Sequence, residues 1–215
     1  MSNTYFKNAD GKDVLLGVVK AIQENKAYLG EIDGLIGDGD HGMNMNKGFT
    51  MFGDRIADKE ISFTDGLDEL GTLLFTEIGG SMGPIYGTVF TDMAEAGEDF
   101  DEIGTKELAA MLDGGLSGLQ GIVDAQVGDK TLVDTLSPAK DALDAAVANG
   151  TDFATALEDL KKAADAGRES TKDLVAKFGR SARLGERSKG VYDAGATSCY
   201  LILAAIADGI ITKIS

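Results

Sequence analysis

Apolar residues recur along the chain at helical spacing. Val14, Leu15, Val18, Val19 and Ile22 mark one amphipathic helix, and Met45, Phe49, Phe52 and Ile56 step by four, three and four along a second. Leu67, Leu70, Leu73, Leu74 and Ile78 form a third stripe. Val89 and Met93 continue a fourth, beginning after Pro84, and Leu108, Met111, Leu112 and Leu119 make a fifth. A sixth runs from Leu132, Val133 and Leu136 into Ala139, Leu143 and Val147, with Pro138 as a kink or a second start. Phe153, Leu157, Leu160 and Ala164 open a seventh, predicted to reach Phe178. Cys199, Ile202, Leu203, Ile206 and Ile210 close with an eighth. Alternation over strand lengths is nearly absent. The pattern predicts an all-α bundle of about eight amphipathic helices in one domain spanning residues 1–215.

Four glycine-bearing stretches interrupt the stripes: Gly37–Gly42, Gly79–Gly87, Gly114–Gly128 and Gly185–Gly195. The run Glu95–Glu102 reads as a solvated connection. The formal net charge of -16 repels nucleic acid and anionic membranes, so neither is expected as a partner. A phosphorylated ligand would need metal ions or local cations. A single cysteine, Cys199, allows no internal disulfide. The N-terminal stretch does not read as a signal peptide. Asp208 and Gly209 interrupt the apolar run at Cys199–Ile206 well before the ~20 residues of a membrane span. A cytoplasmic protein is expected.

The first glycine stretch, IGDGDHGMNMNKGF, places Asp38 and Asp40 around one glycine, with Asp33 upstream, the sole histidine His41 next, and Asn44 three residues on. On a continuous helix Asp38 and Asp40 would point about 200° apart. Gly37 and Gly39 argue instead for a turn that aims all three carboxylates at one point. Crowded carboxylates raise their own pKa values unless a cation sits among them. Hard oxygen donors select Mg²⁺ or Ca²⁺ over zinc, and the loop lacks the terminal bidentate Glu of an EF-hand. Mg²⁺ keeps positions open for substrate phosphates, which favours it here. The bland alternative is a turn capping the next helix through Asp40 or Asn44.

The other stretches are weaker alone. GGSMGPIYGT exposes backbone N–H groups at a helix start, where anions are favoured, but it also suits a tight interhelical turn. In GDKTLVD, Lys130 and Thr131 could meet a phosphate or cap a helix. GRSARLGERSKGVYDAGATS gathers Arg180, Arg183, Arg187 and Lys189 in an acidic chain. That suggests an anionic ligand or acidic partner, or else local ion pairing with Glu186, and DAGATS reads as a capping turn into the last helix.

Taken in order, these four motifs resemble the nucleotide-binding L-subunit family of dihydroxyacetone kinases over nearly the whole chain. The resemblance implies an antiparallel barrel of eight helices with ADP or ATP at one end, its phosphates held through two Mg²⁺ ions. The implied metal ligands are Asp33, Asp38 and Asp40. The implied nucleotide contacts are His41, Gly42, Met43, Asn44, Ser81, Met82, Gly121, Leu132, Arg180, Asp193, Ala194 and Gly195. Arg180 would stabilise charge during phosphoryl transfer. The implied partners are a dihydroxyacetone-binding K subunit and a phosphotransferase-system protein that rephosphorylates bound ADP; a homodimer is left open. Met82 stands where the family commonly has Ser, Ala194 where it has Pro, and Val191-Tyr192 where it has a His-containing pair. These departures touch fine specificity. An ATP-dependent kinase subunit for a related ketose such as erythrulose, and a nucleotide-sensing regulatory subunit, are the alternatives.

Overall fold

The computed structural model describes residues 4–215; the first three residues of the stretch read against a signal peptide lie outside the described residues. Among the described residues eight α-helices follow one another: α1 Gly11–Ile36, α2 His41–Ile56, α3 Phe63–Glu77, α4 Met82–Ala96, α5 Thr105–Ile122, α6 Val133–Asn149, α7 Phe153–Ser170 and α8 Ala194–Ile214. Each packs on its successor, and α8 returns to pack on α1, so the ring closes. Connections reverse the chain between neighbours, the longest being α7–α8 at residues 171–193. The all-α bundle expected from the stripes is therefore the observed architecture.

The stripes form the core because one face of each helix turns inward. Met45, Phe49, Phe52 and Ile56 of α2 are all fully buried. Phe90 of α4 meets Phe49 edge-on at 6.2 Å and stacks on Tyr86 at 6.0 Å. Local signals set the helix starts. Ser62 accepts from Asp65 N at 3.0 Å to cap α3, and Asp152 accepts from Thr155 N at 3.0 Å to cap α7. The alternation-poor sequence still makes one small ladder, β1 (Phe6–Lys7) with β2 (Glu102–Ile103), antiparallel and two residues long. Two residues are too few to show a period.

Several boundaries differ from the pattern. α4 starts at Met82, before Pro84 rather than after it, since proline is tolerated in a first helical turn where its missing N–H has no helical partner. α6 runs through Pro138 without a break, and Val147 at the end of its stripe is exposed. α7 stops at Ser170 and does not reach Phe178, which is exposed. The cause lies next door. The buried Lys130 ammonium donates to Thr171 O, and Thr171 Oγ1 turns back to Arg168 O at 2.7 Å. The chain then leaves the helix through a 3-10 turn at Thr171–Asp173. α8 is long and apolar enough by composition to cross a membrane, despite Asp208 and Gly209. Here, however, Cys199, Ile202, Leu203, Ile206 and Ile210 are buried in the barrel, and α8 packs on α1, α6 and α7.

Alternating helix direction has a consequence for position. The connections α1–α2, α3–α4, α5–α6 and α7–α8 gather at one end of the barrel. They, with the helix ends that flank them, carry all four motifs read from the sequence.

Candidate functional site

The α1–α2 connection is four residues long, 37–40. Gly37 N donates to Asp33 O to end α1, and Gly39 takes φ +76°, a left-handed conformation that suits glycine. Gly42, in the first turn of α2, lies against α1 so closely that a Cβ there would stand 2.1 Å from Lys26 O. The sharp turn and this close approach point three side chains together: Asp33, Asp38 and Asp40 each offer an oxygen within 4.8 Å of the others. Asp40 occupies the N-cap position of α2 but makes no side-chain cap bond, and Asn44 lies inside the helix. Neither Asp40 nor Asn44 therefore caps α2 through its side chain. Asp33 takes that part, its Oδ2 accepting from His41 N at 3.2 Å.

The electrostatics match the crowding. Burial raises the Asp33 carboxyl above its ordinary value, and Asp38 raises it further, against hydrogen bonds from His41 and its neighbours that lower it. Asp40 is raised by burial and then by Asp38 and Asp33. One cation reaches the group from the protein itself: Arg180 Nη1 lies 2.5 Å from Asp38 Oδ2. Three acceptor-only oxygen donors, with two carboxyls held unfavourably and one cation already drawn in, fit a hard divalent cation.

His41 opens α2 and turns inward. Burial lowers its pKa to about 4, so the ring is neutral near pH 7. Its Nε2 lies 2.8 Å from Ser198 Oγ of α8, and Ser198 Oγ lies 2.6 Å from the Tyr86 hydroxyl of α4. Three helices thus meet behind the carboxylates.

Asp193 caps α8, accepting from Ala196 N at 2.7 Å, as the DAGATS reading expects. Burial pushes its carboxyl up to about 6, with Asp134 and Asp33 adding to the rise and Lys130 opposing it. Asp33 and Asp193 therefore feel each other across the end of the barrel. Gly195 lies beside Leu132, whose N would stand 3.6 Å from a Cβ added to that glycine. Ala194 is buried in the first turn of α8.

Of the remaining candidates, Met43 is exposed on α2. Ser81 holds the N-cap position of α4 without a side-chain cap bond, so its hydroxyl does not occupy the first-turn N–H groups. Met82 packs partly on the core. Gly121 is exposed near the end of α5. Among the described residues no hydrogen bond joins Ser81, Met82 or Gly121 to the carboxylates; they share only the same end of the barrel. Arg183 and Arg187 make no ion pair among the described residues, while Lys189 pairs with Glu186 at 2.9 Å.

Lys130 behaves as neither phosphate ligand nor cap. It sits at φ +63°, is fully buried, and donates from Nζ to Thr171 O and Val191 O. It pins the start of the α7–α8 connection to its end. Gly190 N donates to Lys172 O at 2.7 Å and Asp193 N to Thr171 Oγ1 at 3.0 Å, which tightens the same loop. The loop carrying Arg180 is thus tied at both ends. Sequence reading missed Lys130 in this part, and Tyr86 and Ser198 altogether. Both hydroxyl residues lie inside quoted motifs, but their partners are distant in the chain.

Comparison with known proteins adds the following. The model of the DAK2 domain family matches residues 35–208. The chain is 36% identical over 187 residues to the PEP-dependent dihydroxyacetone kinase 1, ADP-binding subunit DhaL, of Listeria innocua, covering 86% of this chain and 88% of that protein. It is 36% identical over 183 residues to the corresponding ADP-binding subunit of Escherichia coli K12, covering 84% and 86%. In structure it resembles the dihydroxyacetone kinase from C. freundii in complex with AMP-PNP and Mg²⁺, with a TM-score of 0.70 at 23% identity. That match covers 95% of this chain and 34% of the other, so the chain corresponds to about a third of that enzyme and the likeness is one of fold.

Proposed function

The chain belongs to the DAK2 domain family, and from that premise we propose that it is the ADP- and Mg²⁺-binding subunit of a dihydroxyacetone kinase. It would carry a phosphoryl group on bound nucleotide and pass it to dihydroxyacetone held by a separate K subunit. The donor that recharges ADP in place would be a phosphotransferase-system protein. The observation that carries this reading is the convergence of Asp33, Asp38 and Asp40 with Arg180 at the motif-bearing end of the barrel.

The residues divide the work. Asp33, Asp38 and Asp40 would hold a pair of Mg²⁺ ions, which supply charge neutralisation and a fixed geometry for the phosphates. The His41 N–H keeps Asp33 in place. Arg180 now lies on Asp38; with nucleotide bound it would turn to the phosphoryl oxygens and stabilise charge as transfer proceeds. The uncapped start of α4 at Ser81 and Met82 offers backbone N–H groups to phosphate oxygens. Gly42, Met43 and Asn44 at the start of α2, Gly121 and Leu132 flanking the α5–α6 connection, and Asp193, Ala194 and Gly195 at the start of α8 would complete the nucleotide contacts. No general base is assigned to this chain, because the accepting hydroxyl would lie on the K subunit.

The test is reconstitution. The purified chain, the K subunit and the phosphorylated transfer protein are mixed with dihydroxyacetone, with ATP and with erythrulose as separate arms. Phosphoryl transfer to dihydroxyacetone from the transfer protein is expected. Transfer only from ATP, or only to erythrulose, would move the chain to a related kinase. Tight ADP binding with no transfer in any arm would contradict the kinase role and favour a nucleotide-sensing subunit.

A further inference from the structure

His41, Ser198 and Tyr86 form a hydrogen-bonded chain in which the direction of each proton can be derived. Tyr86 and Ser198 are buried, so water does not compete for their hydroxyls. The Tyr86 and Ser198 oxygens are 2.6 Å apart, a distance that requires a proton between them. A phenol is a stronger acid than an alcohol and its oxygen a weaker acceptor, so Tyr86 donates and Ser198 accepts. Gly195 O, 3.0 Å from the Tyr86 hydroxyl, is the more distant alternative. The Ser198 proton then has three acceptors in reach: His41 Nε2 at 2.8 Å, Ala194 O at 3.0 Å and Gly195 O at 3.2 Å. The two carbonyls lie in the first turn of α8, where they accept helical N–H groups. The imidazole nitrogen is the nearest acceptor and a strong one. Ser198 therefore donates to Nε2. In a neutral ring the remaining proton must then sit on Nδ1. Nδ1 has no protein partner among the described residues, and His41 adjoins the carboxylate Asp40 at the start of α2.

We propose that Ser198 and Tyr86 are positioning residues that hold His41 in its Nδ1-protonated tautomer, so that the ring presents an N–H to an anionic oxygen of the bound nucleotide. This rests on the reading of the site as a nucleotide site. The other tautomer would present a lone pair there and repel a phosphate. The device reaches across the barrel, from α4 through α8 to α2, and fixes the ring without adding charge.

The chain has one histidine, so its ring nitrogens can be observed by long-range ¹H–¹⁵N correlation in the whole labelled protein without assignment. Nucleotide-free wild type at pH 7.5 is expected to show a protonated Nδ1 and a bare Nε2. Ser198→Ala, checked as folded by its melting curve, is expected to lose this state and move to the Nε2-protonated form or a mixture. Tyr86→Phe removes the donor that turns the Ser198 proton toward Nε2 and is expected to give a mixture of the two tautomers; an unchanged tautomer in this variant would contradict its part in the proposal. Adding ADP with Mg²⁺ should shift Nδ1 in wild type, and Ser198→Ala should bind ADP about tenfold more weakly, the value of one well-placed hydrogen bond. A protonated Nε2 in wild type, an unchanged tautomer in Ser198→Ala, or ADP binding without any shift of Nδ1 would each overturn the proposal. Failure to bind ADP at all would instead refute the nucleotide reading, and the tautomer measured without nucleotide would still decide whether Ser198 sets it.

Discussion

Replacing Lys130 with Met removes a buried ammonium while keeping most of its aliphatic bulk. In the native protein that ammonium donates to Thr171 O and Val191 O, from a side chain that is 1% exposed. Hydrogen bonds to a charged group contribute about 1.5–3 kcal/mol each, and two carbonyls would lose theirs. Part of this is offset, because the variant no longer buries a charge. Asp193 and Asp134 also lose a positive neighbour, which works against stability. The balance is a loss of about 3 kcal/mol, the lower end of the sum for two such bonds. In a chain of this size each 1 kcal/mol moves Tm by about 2–4 °C, so a fall of about 6–12 °C is expected. Urea unfolding followed by circular dichroism measures the difference, provided the slope with urea is unchanged. Lys130→Gly removes the buried stem as well as the ammonium. It relieves the positive φ of +63° but loses the same two hydrogen bonds, so it should also be less stable than wild type. A Lys130→Met protein within about 1 kcal/mol of wild type would refute the clamp, since that lies below the expected contribution of even one such bond.

Asp38→Asn removes one member of the carboxylate cluster and should weaken Mg²⁺-dependent ADP binding on the order of a hundredfold, about 2.7 kcal/mol, with the far-ultraviolet spectrum unchanged; calorimetric titration checks it. His41 supplies a pH dependence. Its folded pKa of about 4 lies below the unfolded 6.5, so the unfolded chain binds the proton first and stability falls as pH drops from about 6.5 to 4. The loss approaches about 3 kcal/mol, and it should be missing in His41→Asn. Asp193 acts in the opposite sense, because its folded pKa of about 6 makes stability fall as pH rises from about 4 to 6. Only the difference between wild type and His41→Asn, measured by urea unfolding at each pH, isolates the histidine. Burial pushes the Cys199 thiol up to about 12, so iodoacetamide should label the folded protein at pH 8 roughly a thousandfold more slowly than the unfolded one. Equal rates would show that the inner face of α8 opens to solvent.

What the sequence disclosed and what it hid differ by distance along the chain. The stripe Met45, Phe49, Phe52 and Ile56 is local, and all four residues are buried on one face of α2. The carboxylate cluster is equally local: Asp33, Asp38 and Asp40 lie within eight residues, and Gly37 and Gly39 announce the turn between them. The end of α7 was not legible, because the residue that ends it is Lys130, 41 positions before Thr171. The partners of His41 were hidden for the same reason, since Ser198 lies 157 positions away. Ring closure of α8 on α1 has no local signature. The family resemblance supplied the common end of the barrel, and the alternating helix directions supply its physical reason.

The central claim is that the carboxylate cluster holds nucleotide phosphates through Mg²⁺. Calorimetric titration of ADP into the nucleotide-stripped protein, with Mg²⁺ and again with the metal chelated away, tests it most directly. The account predicts tight binding with Mg²⁺ that disappears without it. Binding of equal strength in both conditions, or none in either from a folded sample, would contradict it.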